Sequence, residues 1–442
     1  MRINLTDNDI GQLNAVTFQR KDIAALFPIA NKTIAELCRE NENLLIFPYS
    51  IETSGDKIGE SSVMSILNTG DPDKVQITTG NVMGFIGIDD IQIKIKSRFD
   101  KGREDFFLHY MLQKVLSFNL FDLSHDNEQE DIFDFMMFMF PYFLKTAMRQ
   151  GVYREYQNFR HNDANLKGTI DIGRHIAKNV PFVGNIAYST REYSHDNDLS
   201  ELIRHTIEFM KTKWYGQSVL NIDRETIENV KIIIAHTPSY NKNERSSVIS
   251  KNLRAKVHPY YTEYRPLQTL CLQILRMEEV KYGESSDEIC GILFDGAWLW
   301  EEYVNTILSN HGFKHPENKL HKGGIYLFDD HSGIRYPDFY KDDMVLDAKY
   351  KRLGSYDKVS KLDRNDVHQV ITYMTALKAD RGGFVAPLEQ KQSKVPTSHL
   401  QGSMATLSIF GIEICKSATS YAEFCEKMGE REAEFVESLK QF

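Results

Sequence analysis

The stretch Ile334-Arg335-Tyr336-Pro337-Asp338-Phe339-Tyr340-Lys341-Asp342-Asp343-Met344-Val345-Leu346-Asp347-Ala348-Lys349-Tyr350 decides how the rest of the chain is read. Residues 344–346 are continuously apolar, the pattern of an interior strand covered on both faces. Lys341-Asp342-Asp343 is a turn signal, so two strands, over 334–340 and 344–350, are expected to fold back on each other. Side chains two apart on a strand share a face, which puts Asp347 beside Lys349. Asp338 stands near the end of the first strand with eight residues between it and Asp347. The turn lets all three converge.

Working outward, apolar residues at helical spacing over 298–308 precede this hairpin, and Gly312 stops that helix. A strand is expected at 324–328. After the hairpin come a helix over 364–377, strands at 383–386 and 405–414, and a closing helix over 421–439. The order α-β-β-β-α-β, with C-terminal additions, predicts an α/β domain with a central mixed sheet flanked by helices.

Two carboxylates held close repel each other, and a hard divalent cation such as Mg²⁺, which prefers oxygen ligands, relieves that repulsion. A lysine beside the cation orients water or neutralises charge on a phosphate. Asp338, Asp347 and Lys349 together resemble the PD-(D/E)xK pattern of metal-dependent nucleases. That resemblance implies a further acid on the preceding helix, where Glu301 stands, and a Q-x-x-x-Y element on the following one, where Gln369 and Tyr373 share a face. Blander readings exist for each acid: Asp338 as a turn residue, Asp347 as a solvated strand acid, Glu301 or Glu302 as exposed helix residues. Charges on an interior strand are costly unless paired or used, which weighs against decoration for Asp347 and Lys349. Residues 349–364 hold six basic side chains against two acids, with tyrosines interleaved. Lys351, Arg352, Lys358, Lys361 and Arg364 read either as a loop that holds DNA phosphates or as a solvated surface.

Upstream, short β-like runs at 44–49, 74–78, 82–88 and 91–95 are separated by turn residues such as Ser54-Gly55-Asp56 and Asp89-Asp90, and make a small β-rich module of residues 1–100. Helical spacing dominates 101–285, interrupted by a loop-rich segment over 156–196 with strand-like islands at 168–172 and 185–188. The polar run 281–288 reads as a linker, and 286–442 as the domain carrying the hairpin. The chain has 442 residues and a net charge of −9, so a polyanion has to be met by a local patch. Five cysteines without a CxxC pair support neither a disulfide framework nor a four-thiolate zinc site and fit the reducing cytoplasm. The N-terminus lacks a signal-peptide pattern. The most apolar stretch, 135–144, contains Pro141 and falls short of the ~20 residues that cross a bilayer, so it reads as a buried helix with no membrane role. The histidines, among them His195, His205, His258, His315, His321 and His331, show no metal-ligand spacing. There is no G-x-S-x-G and no G-x-x-x-x-G-K-[ST], so this chain is not expected to hydrolyse nucleotides.

Three segments in combination resemble the McrC family, the nuclease subunits of McrBC-type restriction systems, including its LlaJI-like relatives. They are Thr79-Gly80-Asn81-Val82-Met83-Gly84-Phe85 with Ile93-Lys94-Ile95-Lys96-Ser97-Arg98-Phe99, then Leu166-Lys167-Gly168-Thr169-Ile170-Asp171, and the site from Leu299 to Tyr373. The resemblance implies an endonuclease for double-stranded DNA in phage defence, with Asp338, Asp347, Glu301 and the Ala348 carbonyl as ligands of Mg²⁺, for which Mn²⁺ substitutes. Lys349 would position water, Gln369 would orient the strand or site, and Tyr373 would stand with the basic loop at the DNA. It further implies a McrB-like AAA+ GTPase hexamer as partner, docked by the first hundred residues and stimulated by this chain. A second reading is a non-catalytic adaptor that activates the GTPase while its nuclease site stays idle; a third is a nuclease acting alone.

Overall fold

A computed structural model describes residues 2–9, 17–20, 23–41, 44–48, 57–68, 71, 73–88, 91–100, 105–116, 131–254, 258–281, 289–316 and 322–441. The turns at 54–56 and 89–90 and the linker over 282–288 lie outside these residues. Seven strands come from the first hundred residues: β1 (Arg2–Thr6), β2 (Thr17–Gln19), β3 (Leu44–Phe47), β4 (Met64–Asn68), β5 (Lys74–Thr79), β6 (Val82–Ile88) and β7 (Ile91–Lys96). In β7 the isoleucines are buried while Gln92, Lys94 and Lys96 are half-buried, the alternation of a strand with one wet face. Helix α1 (Ile34–Glu40) starts at a capping box in which Thr33 and Glu36 satisfy each other's backbone N–H groups.

The chain forms two compact units, one of residues Met1–Asp126 with Ser286–Phe442, the other Asn127–Ser285. Helix α2 (Phe106–Leu116) and the 286–442 segment share a unit with the N-terminal strands.

The inserted unit consists of α3 (Asp131–Met148), β8 (Glu155–Asp163), β9 (Thr169–Ile170), α4 (Ile172–Asn179), β10 (Ile186–Ser194), α5 (Asp198–Lys211), α6 (Gly216–Leu220), α7 (Arg224–His236), α8 (Arg245–Asn252) and α9 (Tyr264–Lys281). Helix α3 holds the apolar 135–144 stretch, with Met139, Phe140 and Leu144 fully buried. Among the described residues no helix is long and apolar enough to cross a membrane. The segment 156–196, expected to be loop-rich, is instead a sheet in which β8 and β10 pair antiparallel over nine residues. Its strands are polar, so hydrophobic alternation does not reveal them. Cross-strand pairs hold them instead: the His161 ring stacks on Tyr188 at 4.9 Å and the Arg191 guanidinium lies 4.7 Å from the Tyr156 ring.

The remaining elements are β11 (Cys290–Asp295), α10 (Gly296–Leu308), β12 (Ile325–Tyr326), β13 (Ile334–Arg335), β14 (Phe339–Lys341), β15 (Met344–Ala348), α11 (Arg364–Leu377), β16 (Arg381–Leu388), β17 (Thr397–His399), β18 (Thr406–Glu413) and α12 (Tyr421–Lys440). Strand β11, unforeseen in the sequence, leaves its own segment and joins the N-terminal sheet, whose order is β1-β7-β6-β11-β3. It runs antiparallel to β6 and parallel to β3, and Leu293 packs in the N-terminal core with Ile46, Ile86 and Ile93. β2, β5 and β4 make a separate antiparallel sheet.

A second five-stranded sheet, β14-β15-β16-β18-β17, is mixed: β15, β16 and β18 run parallel while both outer strands are antiparallel. Helix α11 crosses over between β15 and β16 and buries Val370, Tyr373 and Met374 against Val345, Phe384 and Ile409. The chain is therefore a mixed α/β protein with the expected mixed sheet. The expected strand over 334–340 is broken in two, because Pro337 lacks the N–H that a continuous ladder needs. Residues 334–335 pair with β12, and Asp338 precedes β14 instead of ending a strand.

Gly84 seats β11. Its φ is +132°, and a Cβ there would stand 2.2 Å from the Ile292 carbonyl oxygen. Replacing Gly84 with alanine is expected to cost about 2–3 kcal/mol or more, read as a lower midpoint in denaturant unfolding of the full chain.

Candidate active site

Asp295 ends β11 and caps α10, accepting from the N–H groups of Ala297 at 3.0 Å and Trp298 at 3.2 Å. The helix is fixed to the second sheet by Trp300, whose Nε1 donates to the Val385 carbonyl at 3.0 Å. The N–H of Lys349 donates to that same carbonyl at 2.8 Å, extending the β15–β16 ladder past Ala348. One backbone position on β16 thus aligns the helix carrying Glu301 with the strand carrying Asp347.

Asp347 is 1% exposed. Neither of its carboxylate oxygens accepts a well-directed hydrogen bond, and Lys349 Nζ stands 2.7 Å from Oδ2 as an ion pair. Burial, and then the charge of Asp338, push the Asp347 carboxyl up to about 7, against the pull of Lys349. Asp338 is half-buried and accepts from the Ala348 N–H at 2.7 Å. Burial and Glu301 push it up to about 7 as well, although Lys349, the Ala348 N–H and His315 favour its ionised form. Lys349 is driven well above its ordinary value: burial works against its charge, but Asp347, Asp338 and Asp366 outweigh it. It is therefore a firm cation, and Asp366 Oδ1 lies 3.4 Å from its Nζ.

Asp338, Asp347 and Lys349 act on one another, and Glu301 acts on Asp338. Gln369 Nε2 donates to the Tyr373 hydroxyl at 2.9 Å, one helical turn apart, and that hydroxyl feels Asp338, Asp347 and Lys349. The basic loop is less uniform. Lys351 is held by Asp366 at 2.7 Å, Arg352 by Glu389 at 2.9 Å and Lys361 by Asp357 at 2.6 Å, while Lys358 and Arg364 are exposed.

Two residues were missed. Asp366 receives both Lys349 and Lys351; its spacing from Gln369 and Tyr373 on one helical face was the available signal. His315 had none, since it lies 23 residues from Asp338 and is brought there by a bridge between Lys314 and Tyr340. Its Nδ1 hydrogen-bonds the Asp338 carbonyl at 2.7 Å, its ring stacks on Phe339, and its Nε2 faces Glu301 at 3.9 Å and Glu302 at 3.8 Å. Burial opposes its charge, but Glu302, the Asp338 carbonyl and Glu301 overcome that and raise it to about 9. A cationic His315 thus braces the backbone of Asp338.

Among the described residues no group of three or more His, Cys, Asp or Glu side chains is placed to hold a metal ion unaided. Mg²⁺ asks for less, since it keeps several waters and takes one or two carboxylates together with substrate phosphate. The buried Asp347 carboxylate, whose Oδ1 has no hydrogen-bond partner, fits such a cation.

A carboxyl raised to about 7 in the folded chain, against 3.8 ordinarily, takes up a proton on folding between those values, so its contribution to stability falls as pH rises through that window. Without added metal, Asp347→Asn is expected to melt several degrees above the wild type at pH 8 and close to it at pH 4. Thermal unfolding across that range checks the sign.

A family model described as McrBC 5-methylcytosine restriction system component matches residues 77–387. Among solved structures, the chain is similar to a half-complex from the tetradecameric assembly of Thermococcus gammatolerans McrB AAA+ hexamers with bound McrC. Identity there is 16% and TM-score 0.49, with 97% of this chain and 100% of the other covered. It is also similar to the Thermococcus gammatolerans McrBC complex, at 15% identity and TM-score 0.33, with 72% and 90% covered. No curated protein sequence matches the chain. The family match takes in well over half of the sequence, from the strand before the Gly80 turn past the helix bearing Gln369, and on that ground the chain belongs to the family of McrBC 5-methylcytosine restriction system components.

Proposed function

We propose that this chain is the McrC-type nuclease subunit of a McrBC restriction system, cutting double-stranded DNA by Mg²⁺-dependent phosphodiester hydrolysis, with Mn²⁺ able to substitute. The observation that carries the reading is a pair of neighbouring carboxyls, Asp338 and Asp347, both raised to about 7 beside a firmly charged Lys349 in a member of this family. Asp338, Asp347 and the Ala348 carbonyl would hold the cation, with Glu301 as a further acid. The bound cation would lower the pKa of water and stabilise negative charge on the phosphate. Lys349, fixed between Asp347 and Asp366, orients the attacking water and meets the charge that develops on the phosphate. Gln369 and Tyr373 face the same point from α11, and Lys351, Arg352, Lys358, Lys361 and Arg364 lie along the path of the flanking phosphates.

A McrB-like AAA+ GTPase is the proposed partner, since no nucleotide-cradling G-x-x-x-x-G-K-[ST] occurs in this chain. The first hundred residues are one docking surface. The inserted unit offers another: Ile172, Ile176, Val180, Phe182 and Val183, at one end of the β8–β10 sheet, are each 59–68% exposed, an apolar cluster of the kind that marks protein contact.

The rival adaptor reading draws on the lack of a self-sufficient three-residue metal cluster among the described residues. Plasmid cleavage, methylated and unmethylated, by the chain with its GTPase, GTP and Mg²⁺ separates the two. Asp347→Ala and Lys349→Ala are expected to lose about 10²–10³-fold or more in cutting rate while stimulating GTP turnover as the wild type does. Cutting by neither wild type nor variants, with GTP turnover still stimulated, favours the adaptor. Phe182→Asp is expected to have the opposite profile, an unchanged melting temperature with GTPase stimulation reduced about tenfold or more, measured by phosphate release.

A further inference from the structure

Two segments that carry the family resemblance, Thr79-Gly80-Asn81 and Ser97-Arg98-Phe99, lie outside the sheet that bears Asp347, and the hydrolysis proposed above uses none of their residues. The side chains of Ser97, Arg98 and Phe99 converge on one residue of the site, Tyr350, directly after Lys349, and Asn81 meets Arg98. Paired strand ends at Ala348, so beyond the Lys349 N–H the course of the chain, and with it the aim of the Lys349 side chain, depends on what holds Tyr350.

Arg98 holds it. Its guanidinium donates to the Tyr350 carbonyl at 3.1 Å and lies 4.4 Å from the centroid of the Tyr350 ring. The same group is ion-paired with Asp7 at 3.2 Å and hydrogen-bonded to the Asn81 side-chain oxygen, and it is 9% exposed. Ser97 Oγ and the Tyr350 hydroxyl are 2.8 Å apart, and the Phe99 ring meets Tyr350 edge-on at 5.0 Å. Asn81 extends the hold to the other arm of the site. Its Nδ2 donates to Asp295 Oδ1 at 3.1 Å, and its carbonyl accepts from the Gly296 N–H at 2.9 Å. Asp295 is the cap of α10, the helix of Glu301. The fit at that point is close: a Cβ on Gly296 would stand 2.8 Å from the Tyr350 ring.

An arginine taken this far out of water is costly where an apolar side chain of similar bulk would fill the space. What an apolar residue could not supply is a charged planar group whose Nη2 meets a carboxylate, an amide oxygen and a backbone carbonyl while its plane lies on an aromatic face. We propose that Arg98 is a positioning residue of the nuclease site: with Asn81 it clamps Tyr350 and Asp295, and so sets Lys349 and the Glu301 helix in register with each other. This rests on the nuclease reading above.

Arg98→Lys is the informative variant, because it keeps a positive charge opposite Asp7 and removes the planar guanidinium that lies on the Tyr350 ring. With the partner GTPase, GTP and saturating Mg²⁺, kcat for plasmid cleavage is expected to fall about 10- to 100-fold. KM for DNA should stay within about twofold, since the Arg98 side chain is 9% exposed and engaged by Asp7, Asn81 and Tyr350. In the chain alone, the Mn²⁺ concentration that half-saturates binding, followed by electron paramagnetic resonance, is expected to rise about threefold or more. Gly296→Ala, which displaces the Tyr350 ring without touching Arg98, should move the same two readouts in the same direction. If kcat and Mn²⁺ half-saturation both stay within twofold of wild type in Arg98→Lys, the clamp is overturned. It is overturned equally if cleavage falls only in proportion to the folded fraction while Mn²⁺ half-saturation is unchanged. A wild type that binds Mn²⁺ but cuts nothing removes the nuclease reading alone, and the Mn²⁺ measurement then decides the clamp by itself. A wild type that neither cuts nor binds Mn²⁺ removes both.

Discussion

Strand Cys290–Asp295 has its hydrogen-bond partners in the N-terminal sheet, with Leu44–Phe47 on one side and Val82–Ile88 on the other. Left outside that sheet, its peptide groups would need other partners or a place in water, and Leu293 would leave the N-terminal core. Its last residue is at once a strand end, a helix cap and the acceptor of Asn81. The helix it starts carries Trp300 onto the Val385 carbonyl and Glu301 toward Asp338. One strand crossing therefore transmits the geometry of a sheet built almost wholly from the first hundred residues to a site built more than two hundred residues later.

The electrostatics of the site follow from that packing. Asp347 is buried on an interior strand because residues 344–346 are apolar and α11 covers them. A carboxylate there is costly unless compensated, and Lys349 compensates it only in part, leaving the carboxyl raised. Asp338 adds to the strain, and His315 and the Ala348 N–H reduce it. The result is a site with acids that favour a proton or a cation and with fixed positive groups behind them. Lys349 is further tied to Asp366, and Asp366 to Lys351, so the basic loop is anchored at its start to the helix that follows β15.

How much of this was legible in the sequence depended on the range of the interactions. Residues 344–348 could be read as a strand because apolar continuity and two-residue spacing are local signals, and the helix over Arg364–Leu377 because its periodicity is local too. Pro337 was visible, yet its effect, splitting one expected strand so that Asp338 precedes β14, needs the pairing of Ile334–Arg335 with Ile325–Tyr326 to be understood. Strand β11 was missed because six residues after a polar linker carry no sign of a partner some two hundred positions away. His315 was missed for the same reason: nothing in its spacing announces a bridge to Tyr340. The islands at 168–172 and 185–188 were legible as β9 and the start of β10, whereas β8 was missed on different grounds, since its residues alternate in exposure without alternating in hydrophobicity.

These long-range features bear on whether the site is a working one. An idle site has no need of Asp347 in an apolar strand, and exchanging a buried ion pair for well-packed apolar residues is often neutral or favourable. Here the charged set is also supported from outside: His315 under the Asp338 backbone, Asp366 behind Lys349, and Arg98 on the residue after it. Each support is itself a partly or wholly buried charge that burial penalises, and each comes from a different element. Proteins break the rule against buried charge chiefly at functional sites. A site that places its acids on adjoining segments, aligns a helix to them through a shared carbonyl, and braces both with separate cations supports the proposal of phosphodiester hydrolysis, a reaction in which charge must be met at fixed points as it develops.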